Sequence, residues 1–178
     1  MISRVEEIWA TKDIIKELKD ELTREGLSFN ENLEVGIMIE VPSAAIMADL
    51  LIKEVDFFSI GTNDLTQYVM GADRLSKEVS EVYDKYNPAV LRMIDLTVKA
   101  AEQHGKAVSI CGETAGEQLG MLIFLSLGVT ELSMLPAFLP KAKKLVKSID
   151  IAKIRTYRDK ILNCKTSDEI KDVLKEFY

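Results

Sequence analysis

The chain has 178 residues, 47% of them hydrophobic and 29% charged, with a formal net charge of −6. That balance excludes a disordered chain and gives enough length to bury a sizeable core in one domain, residues 1–178. The acidic excess argues against a nucleic-acid partner, although one metal ion and one arginine can reverse the local field for a small anionic ligand.

Two cysteines, Cys111 and Cys164, make no disulfide framework and fit a reduced, cytoplasmic setting. The charged start MISRVEEIW is not a signal peptide. The longest apolar stretch, residues 121–129, is too short for membrane insertion as a span.

In chain order, Ser3-x-x-Glu6 reads as a capping box. Val5, Ile8, Trp9, Ile15, Leu18 and Leu22 then recur at helical spacing until Gly26. VGIMIE, 35–40, is short, apolar and β-branched, as a buried strand is. Pro42-Ser43 opens a helix to about Lys53, and VDFFSI, 55–60, is a second buried strand. The polar segment 61–87 is expected to hold a site loop and a short helix. Asn87-Pro88 caps a long helix that ends at His104-Gly105. KAVSIC, 106–111, is a third strand, Gly116 to Leu127 a helix, and TELSM, 130–134, a fourth strand. Pro136 to Lys147 is helical, and so is the tail after Asp150. Its last helix is capped by Thr166-x-x-Glu169 and has Ile170, Val173, Leu174 and Phe177 on one face.

Alternating helices and strands predict a parallel α/β sheet, with apolar strands covered on both faces. A doubly wound sheet needs a glycine-rich phosphate turn after its first strand, and IEVPSAA has none. A barrel instead gathers reactive residues at the C-terminal ends of its strands. Here the strands end at Glu40, at Asn63-Asp64, at Cys111-Gly112-Glu113 and at Ser133. A full (βα)₈ barrel takes about 250 residues and eight strands. The expected fold is therefore the C-terminal half of a TIM-type (βα)₈ barrel: four parallel strands, covering helices and a helical tail.

Each candidate site residue has a plainer alternative. Glu40 could grip a cation or cap backbone N–H groups at a strand-to-helix turn. Asp64 lies at the next strand end, about 4.8 Å away in a parallel array, so the two carboxylates could share one hard cation. Asn63 could donate to a ligand oxygen or make an Asx-turn. Arg74 could clamp an anion bidentately or be solvated. Cys111 could be an inert core thiol or, at a barrel mouth, one that gives or takes a proton. His104 suits a helix C-terminus, where it meets the dipole. Lys141, Lys143, Lys144 and Lys147 read as a solvated helix face, and Cys164 as incidental.

DFFSIGTNDLTQY resembles the signature of enzymes that use phosphoenolpyruvate as phosphoryl donor, and IMIEVPSAA and SICGETAGE resemble the flanking blocks. Within that family the chain is most similar to the C-terminal part of the phosphoenolpyruvate-protein phosphotransferases, Enzyme I of the bacterial sugar phosphotransferase system. Pyruvate phosphate dikinase and phosphoenolpyruvate synthase come second. The resemblance implies a barrel binding phosphoenolpyruvate and Mg²⁺ at its mouth, with Glu40 and Asp64 as metal ligands. It implies phosphate contacts from Asn63 and Arg74, and Cys111 as the acid that protonates the enolpyruvate carbon when pyruvate forms.

Nothing here matches the family's phosphoryl-accepting histidine, which belongs to an upstream domain, and the present strands correspond to strands five to eight. The chain on its own is thus expected to be catalytically incompetent. Its open half-barrel should expose two sheet edges and an apolar inner face, which favours a homo-oligomer. Two other classes remain at this point: a non-catalytic ligand-binding or oligomerisation module, and an unrelated Mg²⁺-using barrel enzyme acting on a keto or enol acid.

Overall fold

In the computed structural model, which describes every residue except Ser80 and only the backbone of Lys77, four short strands form one parallel sheet in the order β1-β2-β3-β4. They are β1 (Ile37–Ile39), β2 (Phe58–Gly61), β3 (Val108–Cys111) and β4 (Glu131–Leu132). Each starts one to three residues later than its apolar segment, because pairing and not composition sets its limits.

The sequential order decides between the two architectures. Parallel strands joined by right-handed crossovers in chain order place every connecting helix on the same face, whereas a doubly wound sheet reverses direction partway. The side chains record this. Ile37, Ile39, Phe58, Ile60, Val108 and Ile110 are buried against the helices. The intervening positions form a row across the other face, with Met38 beside Ser59, Ser59 beside Ser109 and Ser109 beside Glu131. Met38 is 39% exposed and Glu131 exposed, so that face is uncovered.

Two expectations are corrected here. The strands are covered on one face, not both, and the open inner face is short and largely polar, not apolar. Ser59 and Ser109 fall on the inner parity of segments that otherwise read as continuous apolar runs. The architecture is α/β with four parallel strands in one sheet, consistent with the C-terminal half of a barrel.

The core lies between the covered face and the helices. The stretch predicted as one helix to Lys53 is α2 (Pro42–Ile46), α3 (Ala48–Leu51) and a 3₁₀ turn at Ile52–Glu54, broken where Met47 leaves helical geometry (φ −95°, ψ 13°). The long helix, α5 (Pro88–Gln103), starts as predicted: Asn87 accepts from the Ala89 N–H at 2.9 Å and Pro88 takes the first turn. Val90, Leu91, Ile94 and Val98 form its buried stripe, joined by Leu122, Phe124 and Leu127 of α6 (Gln118–Leu127). Each fully buried side chain of this kind stabilises the fold by about 1.5–3 kcal/mol.

Helix α1 (Val5–Arg24) departs from its pattern. Of the predicted apolar stripe only Ile8 is buried, while Trp9 and Leu18 are 49% and 52% exposed. Its cap is also shifted. Because the helix begins at Val5, Glu7 and not Glu6 reaches back, accepting from the N–H groups of Ser3 (2.7 Å) and Arg4 (3.0 Å).

After β4 come α7 (Leu139–Ser148), α8 (Ile151–Arg155), α9 (Arg158–Leu162) and α10 (Ser167–Val173). Thr166 caps α10, accepting from the Glu169 N–H, while the Glu169 carboxylate accepts from the Lys165 N–H. Ile170 and Leu174 are buried. The tail is tied back to α5 by Arg158, which reaches Asp95 at 2.6 Å and Glu102 at 3.0 Å. Lys141, Lys143, Lys144 and Lys147 are exposed on α7, as a solvated face should be.

Candidate active site

The predicted residues converge where β1, β2 and β3 end. Glu40 directly follows β1, on the inner parity with Met38, and is only 9% exposed. It does not serve as a cap: α2 starts from Val41 with no side-chain cap, and among the described residues no backbone N–H donates to Glu40. Room for it comes from Gly61, where a Cβ would stand 3.0 Å from the Glu40 Cβ and Oε2 and 3.1 Å from the Met38 sulfur.

Helix α4 (Thr62–Met70) begins at the residue after β2. The short helix expected in this segment starts at once, so Asn63 and Asp64 are carried on its first turn and the loop follows it. Asp64 is the third helical residue, where the helix dipole favours a carboxylate. Burial pushes the Glu40 carboxyl above its ordinary range, and the Asp64 charge adds to that, while the N-terminal ammonium opposes it. Two carboxylates thus face one another at low exposure, and among the described residues neither has a lysine or arginine within ion-pair distance.

Cys111 ends β3 half-buried with its side chain on the inner face. Its thiol donates to the Ile60 carbonyl at 3.4 Å and accepts from the Ser59 hydroxyl at 3.6 Å. The Thr62 hydroxyl donates to the Cys111 carbonyl at 3.1 Å, fastening the start of α4 to the end of β3. Gly112 then turns the chain at φ +120°, ψ 168°. A Cβ there would lie 2.5 Å from Thr62 Oγ1 and 3.4 Å from Asn63 Oδ1, so the Asn63 amide sits over the turn that follows Cys111. No Asx-turn ties that amide down among the described residues.

Arg74 lies exposed in the segment after α4, its backbone N–H donating to Gln67 Oε1 at 3.3 Å. Tyr83 connects it to the rest: its hydroxyl donates to the Asn63 carbonyl at 3.2 Å. Burial pushes the Tyr83 phenol up, the Arg74 charge opposes this, and Asp64 and Glu113 reinforce it. Sequence reasoning missed Tyr83, which no spacing ties to the signature 15 to 27 residues upstream; it missed Thr62 and Ser59 although both stand inside that signature.

Other candidates fall outside the cluster. Ser133 is exposed beyond β4, its N–H on the Ile110 carbonyl. Cys164 is buried in the tail, its thiol donating to the Lys160 carbonyl. His104 closes α5, its Nδ1 2.9 Å from the Ala100 carbonyl, at the end of the sheet opposite the cluster.

The donor set suits a hard cation. Glu40 and Asp64 offer carboxylate oxygens, a charge pair that a divalent ion would relieve. Among the described residues no third His, Cys, Asp or Glu joins them, so waters or substrate oxygens would complete the shell.

Sequential parallel strands, helices on one face and polar side chains gathered at the C-terminal strand ends define a half of a (βα) barrel. The family model described as "PEP-utilising enzyme, PEP-binding domain" matches residues 1–151, and the chain belongs to that family. It is 43% identical over 178 residues to the phosphoenolpyruvate-protein phosphotransferase of Priestia megaterium, and 42% to that of Bacillus subtilis (strain 168). The corresponding protein of Streptococcus equinus is 43% identical, with 99% of this chain aligned. The chain spans 31% of the length of each of these relatives.

Proposed function

We propose that this chain forms the cation-binding half of a phosphoenolpyruvate site in a phosphoenolpyruvate-protein phosphotransferase, which passes a phosphoryl group from phosphoenolpyruvate to an enzyme histidine for sugar uptake and releases pyruvate. The observation that carries this is the convergence of Glu40, Asp64 and Cys111 at three adjacent strand ends, in a chain 42–43% identical to proteins of that name. Glu40 and Asp64 would hold Mg²⁺, which when bound offsets charge on the phosphoryl oxygens. Asn63 donates its amide and Arg74 its guanidinium to the phosphate. Tyr83 holds the Asn63 turn and the Arg74 segment on the same side of the mouth. Cys111 gives its thiol proton to the enolpyruvate carbon as the C–H bond of pyruvate forms.

On this reading residues 1–178 fold as a single unit, cytoplasmic and with reduced thiols, that works with the remainder of the barrel and with a histidine-bearing domain. The chain alone does not turn over: its one histidine, His104, is at the far end of the sheet. The unpaired edges of β1 and β4 and the exposed face of α1 favour self-association of the isolated chain.

Titrating Mn²⁺ into the chain and into Asp64→Ala tests the site. The expected result is saturable binding that the substitution abolishes; binding that survives it sinks the assignment. Pyruvate formation from phosphoenolpyruvate should appear only when the complementary barrel half and a histidine-bearing domain are supplied. Turnover by the chain alone would show the dependence on them to be wrong.

A further inference from the structure

The open face of the sheet holds one polar contact that the roles above leave unused. Ser59 and Cys111 lie on adjacent strands, both on the inner parity, with Ser59 paired to Ser109 and Gly61 to Cys111, so the two side chains meet on a diagonal. Gly61 leaves the space beside Cys111 without a side chain. The thiol is consequently held at both poles: it accepts from the Ser59 hydroxyl at 3.6 Å and donates to the Ile60 carbonyl at 3.4 Å. A free thiol rotates about its Cα–Cβ bond, whereas this one is fixed by a hydroxyl and a carbonyl from the same neighbouring strand.

We propose that Ser59 is a positioning residue for Cys111, anchoring the sulfur on the inner face and supporting the charge left there when its proton departs. In the resting state the proton points at the Ile60 carbonyl. In the transfer the S–H bond breaks, the proton forms the new C–H bond of the product, and the electron pair stays on sulfur as thiolate. Ser59 keeps its own proton throughout. Its hydrogen bond strengthens when the acceptor becomes anionic, because bonds to a charged group contribute more than bonds between neutral ones. Asp64 disfavours ionisation of Glu40, and Asp64 and Glu113 disfavour that of Tyr83, so the mouth is already rich in negative charge. Among the described residues no lysine or arginine makes a contact to Cys111, so the Ser59 hydroxyl is the side-chain donor that meets the sulfur.

Ser109 provides the comparison. It occupies the same face one strand over, but its hydroxyl is directed to the Phe58 carbonyl at 3.5 Å and not to the sulfur. Removing it perturbs the sheet face without touching the thiol.

This inference builds on the acid role proposed for Cys111, but its test reads the sulfur directly. The rate of Cys111 alkylation by iodoacetamide is measured against pH in the intact chain, followed on the isolated peptide so that buried Cys164 is counted separately. Ser59→Ala should shift the profile to higher pH, with labelling at pH 7 slowed about tenfold. Ser59→Thr, which keeps a hydroxyl, should restore the wild-type profile, and Ser109→Ala should leave it in place. A Ser59→Ala profile that superimposes on wild type overturns the proposal, as does an equal shift from Ser109→Ala. Failure of Mn²⁺ binding or of pyruvate formation would leave the alkylation result standing, so the two readings fail separately.

Discussion

Alanine at position 112 is the sharpest probe of how the mouth of this half-barrel is built. Gly112 sits at φ +120°, ψ 168°, a region open almost only to glycine, where another residue costs on the order of 1–3 kcal/mol. Its Cβ would also stand 2.5 Å from the Thr62 hydroxyl. That hydroxyl can rotate away only by giving up its hydrogen bond to the Cys111 carbonyl, a loss of about 1 kcal/mol. Against these, alanine narrows the unfolded ensemble by about 0.4–1 kcal/mol. The net expectation is a loss of about 2–3 kcal/mol. With a urea dependence of about 1–3 kcal/mol per molar for a small protein, the unfolding midpoint falls by about 1 M. The mechanism can be separated from general strain by a double-mutant cycle. In a Thr62→Ala background the hydroxyl is already gone, so Gly112→Ala should cost about 1 kcal/mol less there than in wild type. A strictly additive cycle, or a single-mutant loss under about 0.5 kcal/mol, refutes the proposed clash.

Three further outcomes follow from the same geometry. Gly120→Ala in α6 should lose more than about 2 kcal/mol by urea unfolding even though alanine is the better helix former. Its Cβ would overlap the Thr114 carbonyl, and backbone cannot rotate aside. Arg158→Ala should lose about 2–4 kcal/mol, because it strands Asp95, whose side chain is 7% exposed, with Lys99 as its remaining cation; Lys99→Ala, at a half-exposed lysine, should lose under about 1 kcal/mol. Glu40→Gln should stabilise the metal-free chain at neutral pH. The Glu40 carboxyl is raised in the fold by burial and by Asp64, so the folded state holds its proton more tightly than the unfolded chain does. Wild-type stability from this group therefore rises as pH falls through the folded value toward the ordinary glutamate range, and urea midpoints across that window should converge for the two proteins.

Much of the fold was legible because its signals are local. Four apolar segments in β-branched company gave four strands, Asn87-Pro88 gave the start of α5, and Thr166 with Glu169 gave the start of α10, each a short-range pattern with a short-range cause. The open face was not legible, because two serines within VDFFSI and KAVSIC do not break an apolar run, yet at period two they set which face meets helices. The stripe of α1 misled for the opposite reason: its apolar side chains recur at helical spacing, but spacing cannot say that Trp9 and Leu18 stay about half exposed. At the site, Glu40, Asn63, Asp64 and Cys111 were visible as polar residues ending apolar segments. Tyr83 was not, since its link to Asn63 is made by a segment whose path no local pattern fixes.

The spacing of the site depends on what is absent between its residues as much as on what is present. Glu40 follows β1 and Cys111 ends β3, and between those strands lies β2, whose last residue is Gly61. Any side chain there would occupy the space into which Glu40 folds, against its Oε2 and the Met38 sulfur. Gly112 does the same on the other flank, letting the turn after Cys111 approach Thr62 and Asn63. Two residues without side chains thus bring a carboxylate pair, an amide and a thiol to one rim while each remains attached to a strand end or to the first turn of a helix. Widening either gap by one methyl group should separate the Cys111 thiol from the carboxylates without altering any of these side chains. Residual cation binding with lost pyruvate formation in Gly112→Ala, assayed with the complementary domains, would report that separation; loss of both together would point instead to collapse of the mouth.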